Sequence, residues 1–368
     1  MPEAVDNKKK RFIAYFTMEI GLDTHIPTYA GGLGVLAGDT IKSFADLSVP
    51  VVAVTLLNQG GYFYQKINEQ GMQEEHPVKW SVDDFLKKLP QTITMALEGR
   101  TITVQAWGTL VEGVRGSQVP VVFLDTNVPE NTEEDRRITQ FLYGGDTRYR
   151  FFQEAVLGIG GAIMLKKLGY SVEKYHLNEG HSALLILELL NEQGEYDADA
   201  VRERCVFTTH TPLPSGHDVF DMALVKKVLG SAWPERLTKE VCQDNILNMT
   251  KLALHFSKHV NGVAKKHGEV SQALFPGHQI DAITNGIHPP SWASEPFKKL
   301  FDTHIPCWRN DPFALRGAAG IRKKEIWNAH MEAKKRLLDE VNEHTNAGMD
   351  YDFFTILLFK TSLVYPTG

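Results

Sequence analysis

Cysteine is scarce in this chain: three among 368 residues, at Cys205, Cys242 and Cys307. An odd number so widely spaced argues against a disulfide framework and for a reducing compartment, the cytoplasm. Basic residues are also in deficit. Lys and Arg number 39 against 45 Asp and Glu, a net charge of -6. No basic excess is left to hold a phosphate backbone, which argues against nucleic acid as a partner. No stretch approaches the ~20 apolar residues of a membrane span. The opening MPEAVDNKKKRF has no apolar signal core behind it, so no membrane partner is expected. Repeats and low-complexity tracts are lacking too. What is there is an ordinary globular composition, 43% hydrophobic and 23% charged. At roughly 150 residues per domain the length predicts about two to three domains.

RFIAYFTMEIG (11–21) is an apolar, aromatic-rich run ending at Gly21, and predicts a buried strand. The glycine-rich Ala30-Gly31-Gly32-Leu33-Gly34 then opens a helical pattern carried by Val35, Leu36, Phe44 and Leu47. VPVVAVTLL (49–57) predicts a second buried strand. Strand, glycine loop, helix, strand is the unit of parallel sheets. From about 60 to 127 the rhythm changes. TITMALEGRTITVQAW holds two alternating runs around Glu98-Gly99-Arg100, a hairpin signal, and VPVVFLDTNV (119–128) follows. This stretch reads as a β-rich insertion or an extension of the sheet.

The α/β alternation resumes near 132. Helices are expected over about 146–168, 181–191 and 243–258, and strands ending at Asn178, over 204–210 and within 279–292. A charged amphipathic helix is expected over 322–346, with Ile326, Ala329, Ala333 and Leu337 or Leu338 on one face. The fold class is α/β, a doubly wound domain with a charged helix leading away.

Ligands of such sheets bind where strands end at their carboxyl edges. Four polar segments sit at those ends: residues 31–34, 178–181, 210–216 and 285–288. Together they suggest one shared crevice. The glycine loop suits an anion, because its backbone can be approached closely and a helix start follows. It is neither the GxGxxG fingerprint nor a Walker loop, and a tight structural turn would use the same residues. His176 and His181 are five apart with a strand end between them, which does not match zinc spacing on a helix. Asn178, Glu179 and His181 could hydrogen-bond a polyhydroxyl ligand, or Asn178 could simply cap a helix. Asp146, ahead of the long helix, has the same two readings. His210 is as readily structural as catalytic, and Asn285-Gly286 is an ordinary turn signal.

Taken together and in order, FTMEIGL (16–22), YAGGLGVLAGD (29–39), LYGGDTRYRFFQEAVLGIGG (142–161), YHLNEGHSALLILELL (175–190), FTTHTPLPSGHDVF (207–220) and AITNGIHPPSW (282–292) resemble the α-glucan phosphorylase family. The resemblance is to its short prokaryotic type and runs from about residue 12 to 356. It implies a two-lobed GT-B glycosyltransferase fold and transfer of a terminal α-1,4-glucosyl unit to phosphate, giving glucose 1-phosphate. It also implies pyridoxal phosphate as cofactor, used through its phosphate group. By the same resemblance Gly31, Gly32 and Leu33 face substrate and cofactor phosphate. Asp146 and Thr147 border the catalytic site, Glu179 and His181 lie near the glucosyl site, and Asn285 and His288 lie on a loop near the sugar. The partners implied are an α-1,4-glucan and inorganic phosphate, with room for a homo-oligomer.

After Thr355-Ile356 the family pattern stops. Where the family reads approximately Gly-Phe-Ala-Arg-Arg and then Tyr-Lys-Arg, this chain has Leu357-Leu358-Phe359-Lys360-Thr361-Ser362. The second lobe, with the Schiff-base lysine and the phosphate-holding basic residues, is expected to be missing. Read one nucleotide later, codons for 358–362 can spell Phe-Ser-Arg-Arg-Arg, so a frameshift near Leu357 is the expectation. The expected organisation is an N-terminal lobe over 1–320, a connecting helix over 321–350 and an aberrant or truncated lobe start over 351–368. Two rival readings stand beside a phosphorylase fragment without activity of its own. One is a non-catalytic glucan-binding module, the other a sugar-nucleotide transferase of the GT-B fold.

Overall fold

The computed structural model describes residues 11–213 and 216–356. The tail beyond Ile356, on which the frameshift expectation rests, lies outside the described residues, as do Pro214 and Ser215. Strands in chain order begin with β1 (Arg11–Thr17), β2 (Val51–Leu56), β3 (Tyr64–Ile67), β4 (Gln73–His76), β5 (Lys87–Leu97), β6 (Arg100–Glu112) and β7 (Gln118–Asp125). They continue with β8 (Ser171–Asn178), β9 (Cys205–Thr209), β10 (Val219–Asp221), β11 (Cys242–Gln243), β12 (Ile246–Asn248), β13 (His259–Gly262) and β14 (Asp281–Ala282).

The main sheet has the order β14-β13-β9-β8-β1-β2-β7-β6-β5. Pairing is parallel from β14 to β7, and β6 and β5 add antiparallel at one edge. The stretch after residue 60 therefore extends the sheet. Its hairpin turns at Glu98 and Gly99, both at positive φ, as a tight two-residue connection requires. The continuous apolar runs follow from burial on both faces. Ala14, Phe16, Val52, Val54 and Leu56 face one core, while Tyr15, Val51 and Ala53 face the other.

Glycine sets how closely the helices approach. In the helix Gly32–Asp46, a Cβ on Gly38 would lie 1.9 Å from the Gly21 carbonyl oxygen, and one on Gly34 2.5 Å from Tyr29 Cβ. The helix expected at 146–168 runs from Thr147 to Lys167, with one π-helical turn, Val156–Gly160, inserted without a break. Gly158 and Gly161 let it press on the chain at Leu184–Leu185 and on the Phe16 ring.

Two expectations needed correction. The segment 243–258 is helical only over Met249–His255, because β11 and β12 pair first. The last strand is two residues long, β14, and its continuation is exposed coil leading to the short helix Pro289–Trp292.

The chain divides into two compact units, one through Gly286 and one from Ile287. In the second, Trp308 is fully buried with Ile305 and Ile321, and its indole N–H donates to Asp302 at 2.8 Å. The charged helix, Lys323–Thr345, buries Ala329 and Leu338 and leaves Leu337 exposed.

Candidate functional site

Parallel register places Thr17, Asn178 and Thr208 side by side, where β1, β8 and β9 end. Asn178 Nδ2 donates to Thr17 Oγ1 at 3.1 Å, and Asn178 Oδ1 lies 2.7 Å from His210 Nε2. Asn178 thus ties neighbouring strand ends together, a different role from helix capping. His176 Nε2 meets Thr208 Oγ1 at 2.9 Å, and His181 Nε2 meets Asp218 at 3.2 Å. The two histidines turn to separate partners, as their spacing suggested.

Glu179 is buried and held at φ 70 and ψ 170. A non-glycine residue there costs ~1–3 kcal/mol and persists only where its surroundings enforce it. Here the carboxyl group accepts from the backbone N–H of His210 at 2.7 Å, from Thr211 Oγ1 at 3.2 Å and from the Gly180 N–H at 3.2 Å. Glu179 is therefore the clamp between the ends of β8 and β9.

Beside this clamp is a charged network. Arg150 Nη2 bonds Asp218 Oδ2 at 2.9 Å and approaches Glu154 at 3.5 Å. Its guanidinium lies 4.9 Å from the Tyr143 ring centre, and that ring is 5.9 Å from the His181 ring. Burial of Asp218 opposes its ionisation, but the Arg150 charge and His181 outweigh it and hold the carboxyl below its ordinary range. Burial, reinforced by the Asp218 charge, lifts Glu154 well above the usual carboxylate range. Burial lowers His210 to about 4, so its imidazole is neutral at pH 7. Besides the Glu179 carboxyl, the site therefore carries the Arg150–Asp218 ion pair, the Glu154 acid, whose burial favours its neutral form, and the neutral His210 imidazole. That set suits hydrogen bonding of a polyhydroxyl ligand better than proton abstraction.

The glycine loop joins the site through Glu19. The N–H groups of Ala30 and Gly31 donate to Glu19 Oε2 at 2.8 and 3.2 Å, and Tyr143 donates to Oε1 at 2.8 Å. This corrects part of the anion expectation, since a carboxyl of the chain itself takes two of the amides. Gly31 and Gly32 are exposed, a Cβ on either would meet nothing within 4 Å, and Gly31 has φ -155. Neither packing nor a positive φ requires glycine at these two positions, and Leu33 beside them is half-buried.

The other expected residues make contacts of their own. Asp146 is exposed and caps the helix Thr147–Ala155, accepting from the Tyr149 N–H at 2.8 Å, with Thr147 exposed beside it. Asn285 is exposed beyond β14, its N–H donating to Val263. His288 belongs to the second unit, where its ring bonds Ser291 at 2.8 Å. Within the first unit, contacts thus link the segments 31–34, 178–181 and 210–216. Sequence reading missed Glu19, Tyr143, Glu154 and Asp218. An acid inside an apolar run, as in FTMEIGL and FFQEAV, was the available signal, because an acid is buried there only with partners.

No protein-family model matches the chain. Among curated proteins it is 36% identical to a maltodextrin phosphorylase of Thermococcus litoralis, across 89% of this chain and 42% of that protein. It is 33% identical to a glycogen phosphorylase of Mycobacterium tuberculosis, across 86% of this chain and 40% of that protein. An uncharacterized protein of Methanocaldococcus jannaschii is 32% identical, across 96% of this chain and 64% of its own length. The chain spans about two-fifths of the length of the two phosphorylases. By these matches the chain is similar to part of the glycogen and maltodextrin phosphorylases.

Proposed function

We propose that this chain forms one wall of an α-1,4-glucan phosphorylase site, in the N-terminal lobe of a GT-B fold whose second lobe completes the crevice. The complete enzyme would move a terminal glucosyl unit from the glucan to inorganic phosphate, in the cytoplasm. The observation that carries this reading is a set of buried polar atoms at and beside the strand ends that find no partner among the described residues: His181 Nδ1, Ser182 Oγ, Thr209 Oγ1 and Arg150 Nη1. Each such atom costs ~1–3 kcal/mol. A concentration of them at the carboxyl edge of a parallel sheet is what a site has when its ligand supplies the missing bonds. In this reading His181 and Glu179 meet sugar hydroxyls, and the exposed backbone at Gly31 and Gly32 lets a ligand approach closely.

The described residues do not by themselves fit pyridoxal phosphate. Glu19 sets a carboxyl on the Ala30 and Gly31 amides that its phosphate would need, and no lysine joins the described strand-end contacts. In this reading the cofactor is held chiefly by the second lobe.

The test is glucose 1-phosphate formation from maltodextrin and phosphate, together with maltodextrin binding by calorimetry. The purified chain should bind maltodextrin weakly, because one wall leaves much of the ligand in water. It should release no glucose 1-phosphate, and His181→Ala should lose the binding while remaining folded. Turnover by the chain alone overturns the single-wall reading. Absence of any glucan binding overturns the glucan reading.

A further inference from the structure

Tyr143 stands where two parts of the strand-end cluster meet. Its backbone is held at φ 55, a left-handed conformation that a bulky residue rarely adopts. Such strain persists where the surroundings enforce it, and it collects at working sites. Here the adjoining backbone is pinned: the Leu142 N–H donates to the Gly61 carbonyl at 2.9 Å, and Gln153 Nε2 donates to the Phe141 carbonyl at 2.7 Å. The strain secures the aim of one side chain in two directions. At its tip the phenol donates to Glu19 Oε1, while Glu19 Oε2 holds the Ala30 and Gly31 amides. A Cβ on Gly34 would lie 2.7 Å from Oε2, so the loop is built around this carboxyl. Burial and the Glu19 charge lift the phenol far above its ordinary range, and it stays a donor at pH 7. Along its flank the ring lies 4.9 Å from the Arg150 guanidinium and 5.9 Å from the His181 ring. Those two side chains share Asp218. Each also carries a buried polar atom that finds no partner among the described residues.

We propose that Tyr143 is a positioning residue that couples the glycine loop to the Arg150–Asp218–His181 group, so that a ligand meeting one also orders the other. The proposal rests on the strand-end site read above and adds how its two halves act together. The hydrogen bond to a carboxylate at the tip and the cation–ring contact on the flank are both directional. A tyrosine side chain turns about only two bonds. A ring displaced by a ligand-bound Arg150 or His181 therefore carries its hydroxyl with it, and the Glu19 carboxyl and the two loop amides follow. Contiguous hydrogen bonds and packed rings are what transmit such coupling, and by linkage it acts in both directions.

The experiment follows amide hydrogen exchange of the full chain over residues 30–34, with β6 as the reference for global opening. His181→Ala should speed exchange of the Ala30 and Gly31 amides about tenfold relative to β6. Tyr143→Phe keeps the ring and removes the bridge, so its loop should already exchange faster. Adding His181→Ala to it should then change the loop by less than about twofold. A side chain that only supported the fold would raise exchange over β6 as well and give additive effects. A loop that ignores His181→Ala, or that responds equally with and without the hydroxyl, overturns the coupling. If Tyr143→Phe does not fold, Glu19→Gln takes its place, since a neutral amide weakens the same bridge. Maltoheptaose supplies a second arm. It should slow loop exchange in the unmodified chain, and in Tyr143→Phe it should bind by calorimetry without slowing it. Binding that leaves the loop of the unmodified chain unchanged overturns the coupling while the strand-end site stands. Absence of binding overturns the glucan reading, and the His181→Ala comparison still decides the coupling.

Discussion

Tyr143 and Glu19, 124 residues apart, are joined by a 2.8 Å hydrogen bond from the phenol to Glu19 Oε1. Because the other carboxyl oxygen holds the Ala30 and Gly31 amides, this contact fixes the glycine loop to the start of the long helix. Tyr143→Phe should destabilise the fold by about 2 kcal/mol, the typical worth of a hydrogen bond to a charged group. Urea denaturation at pH 7 checks it through the midpoint at unchanged m. No shift in midpoint would mean the loop is held without Tyr143.

The glycines separate into two sets by what a methyl group would meet. Gly38→Ala drives Cβ to 1.9 Å from a backbone oxygen, and backbone cannot yield cheaply, so this variant should fail to fold or lose more than about 3 kcal/mol. Gly31→Ala and Gly32→Ala meet open space and should keep stability within ~0.5 kcal/mol. Their effect should appear in maltodextrin binding. Thermal melts with calorimetry on the three variants distinguish the sets, and unchanged binding in both open-space variants would remove the loop from the site.

How far the sequence reveals this molecule depends on how local each cause is. Apolar runs and turn glycines act over a few residues. The parallel strands, the Glu98-Gly99 hairpin and the long helix were therefore legible. Convergence of residues 178–181 with 210–211 was legible too, since parallel strands end at one edge. Asp218 was not, because its role depends on Arg150 reaching it from 68 residues away, and no spacing rule encodes such a contact; the Arg150–Glu154 pair is local, four residues apart on one helix. Asp146 shows the opposite case. A capping preference and a ligand preference select the same residue type, and only the observed bond to the Tyr149 N–H separates them.

Burial holds His176 and His210 at about 4, against 6.5 when unfolded. Unfolding therefore takes up protons between those values, and the stability these groups contribute is full above pH 6.5 and lost as pH falls toward 4. Glu154 acts in the opposite sense. Its pKa is raised above 4.5, so its contribution is present below pH 4.5 and fades as pH rises. Between pH 4.5 and 6.5 the two histidines together tend toward a slope of about 2.7 kcal/mol per pH unit, and Glu154, its carboxyl raised by burial, opposes them. Glu154→Gln should therefore steepen the dependence. Urea titrations across that interval measure both slopes, and identical slopes would mean Glu154 is ionised in the fold.

Arg150 and Asp218 form a mostly buried pair, their side chains 14% and 27% exposed. Arg150→Met leaves Asp218 without its cation and should cost about 3 kcal/mol, as breaking buried pairs does. Adding Asp218→Asn should recover part of that loss, because no charge is then stranded. A double-mutant cycle in urea gives the coupling, and strictly additive losses would mean the pair is solvated.

The π-helical turn at Val156–Gly160 also sets a phase. It accommodates one more residue than an α-helical turn would, and each helical residue advances the side chains by about 100°. Deleting one residue there would let the helix close into regular α form. Everything on one side of the deletion would then rotate by that angle relative to the other. With Gly161 still seated on Phe16, Arg150 and Glu154 would swing away from Asp218 while the hydrophobic content stayed nearly the same. The extra residue acts as an angular index that aligns the strand-end chemistry with a helix anchored elsewhere on the sheet.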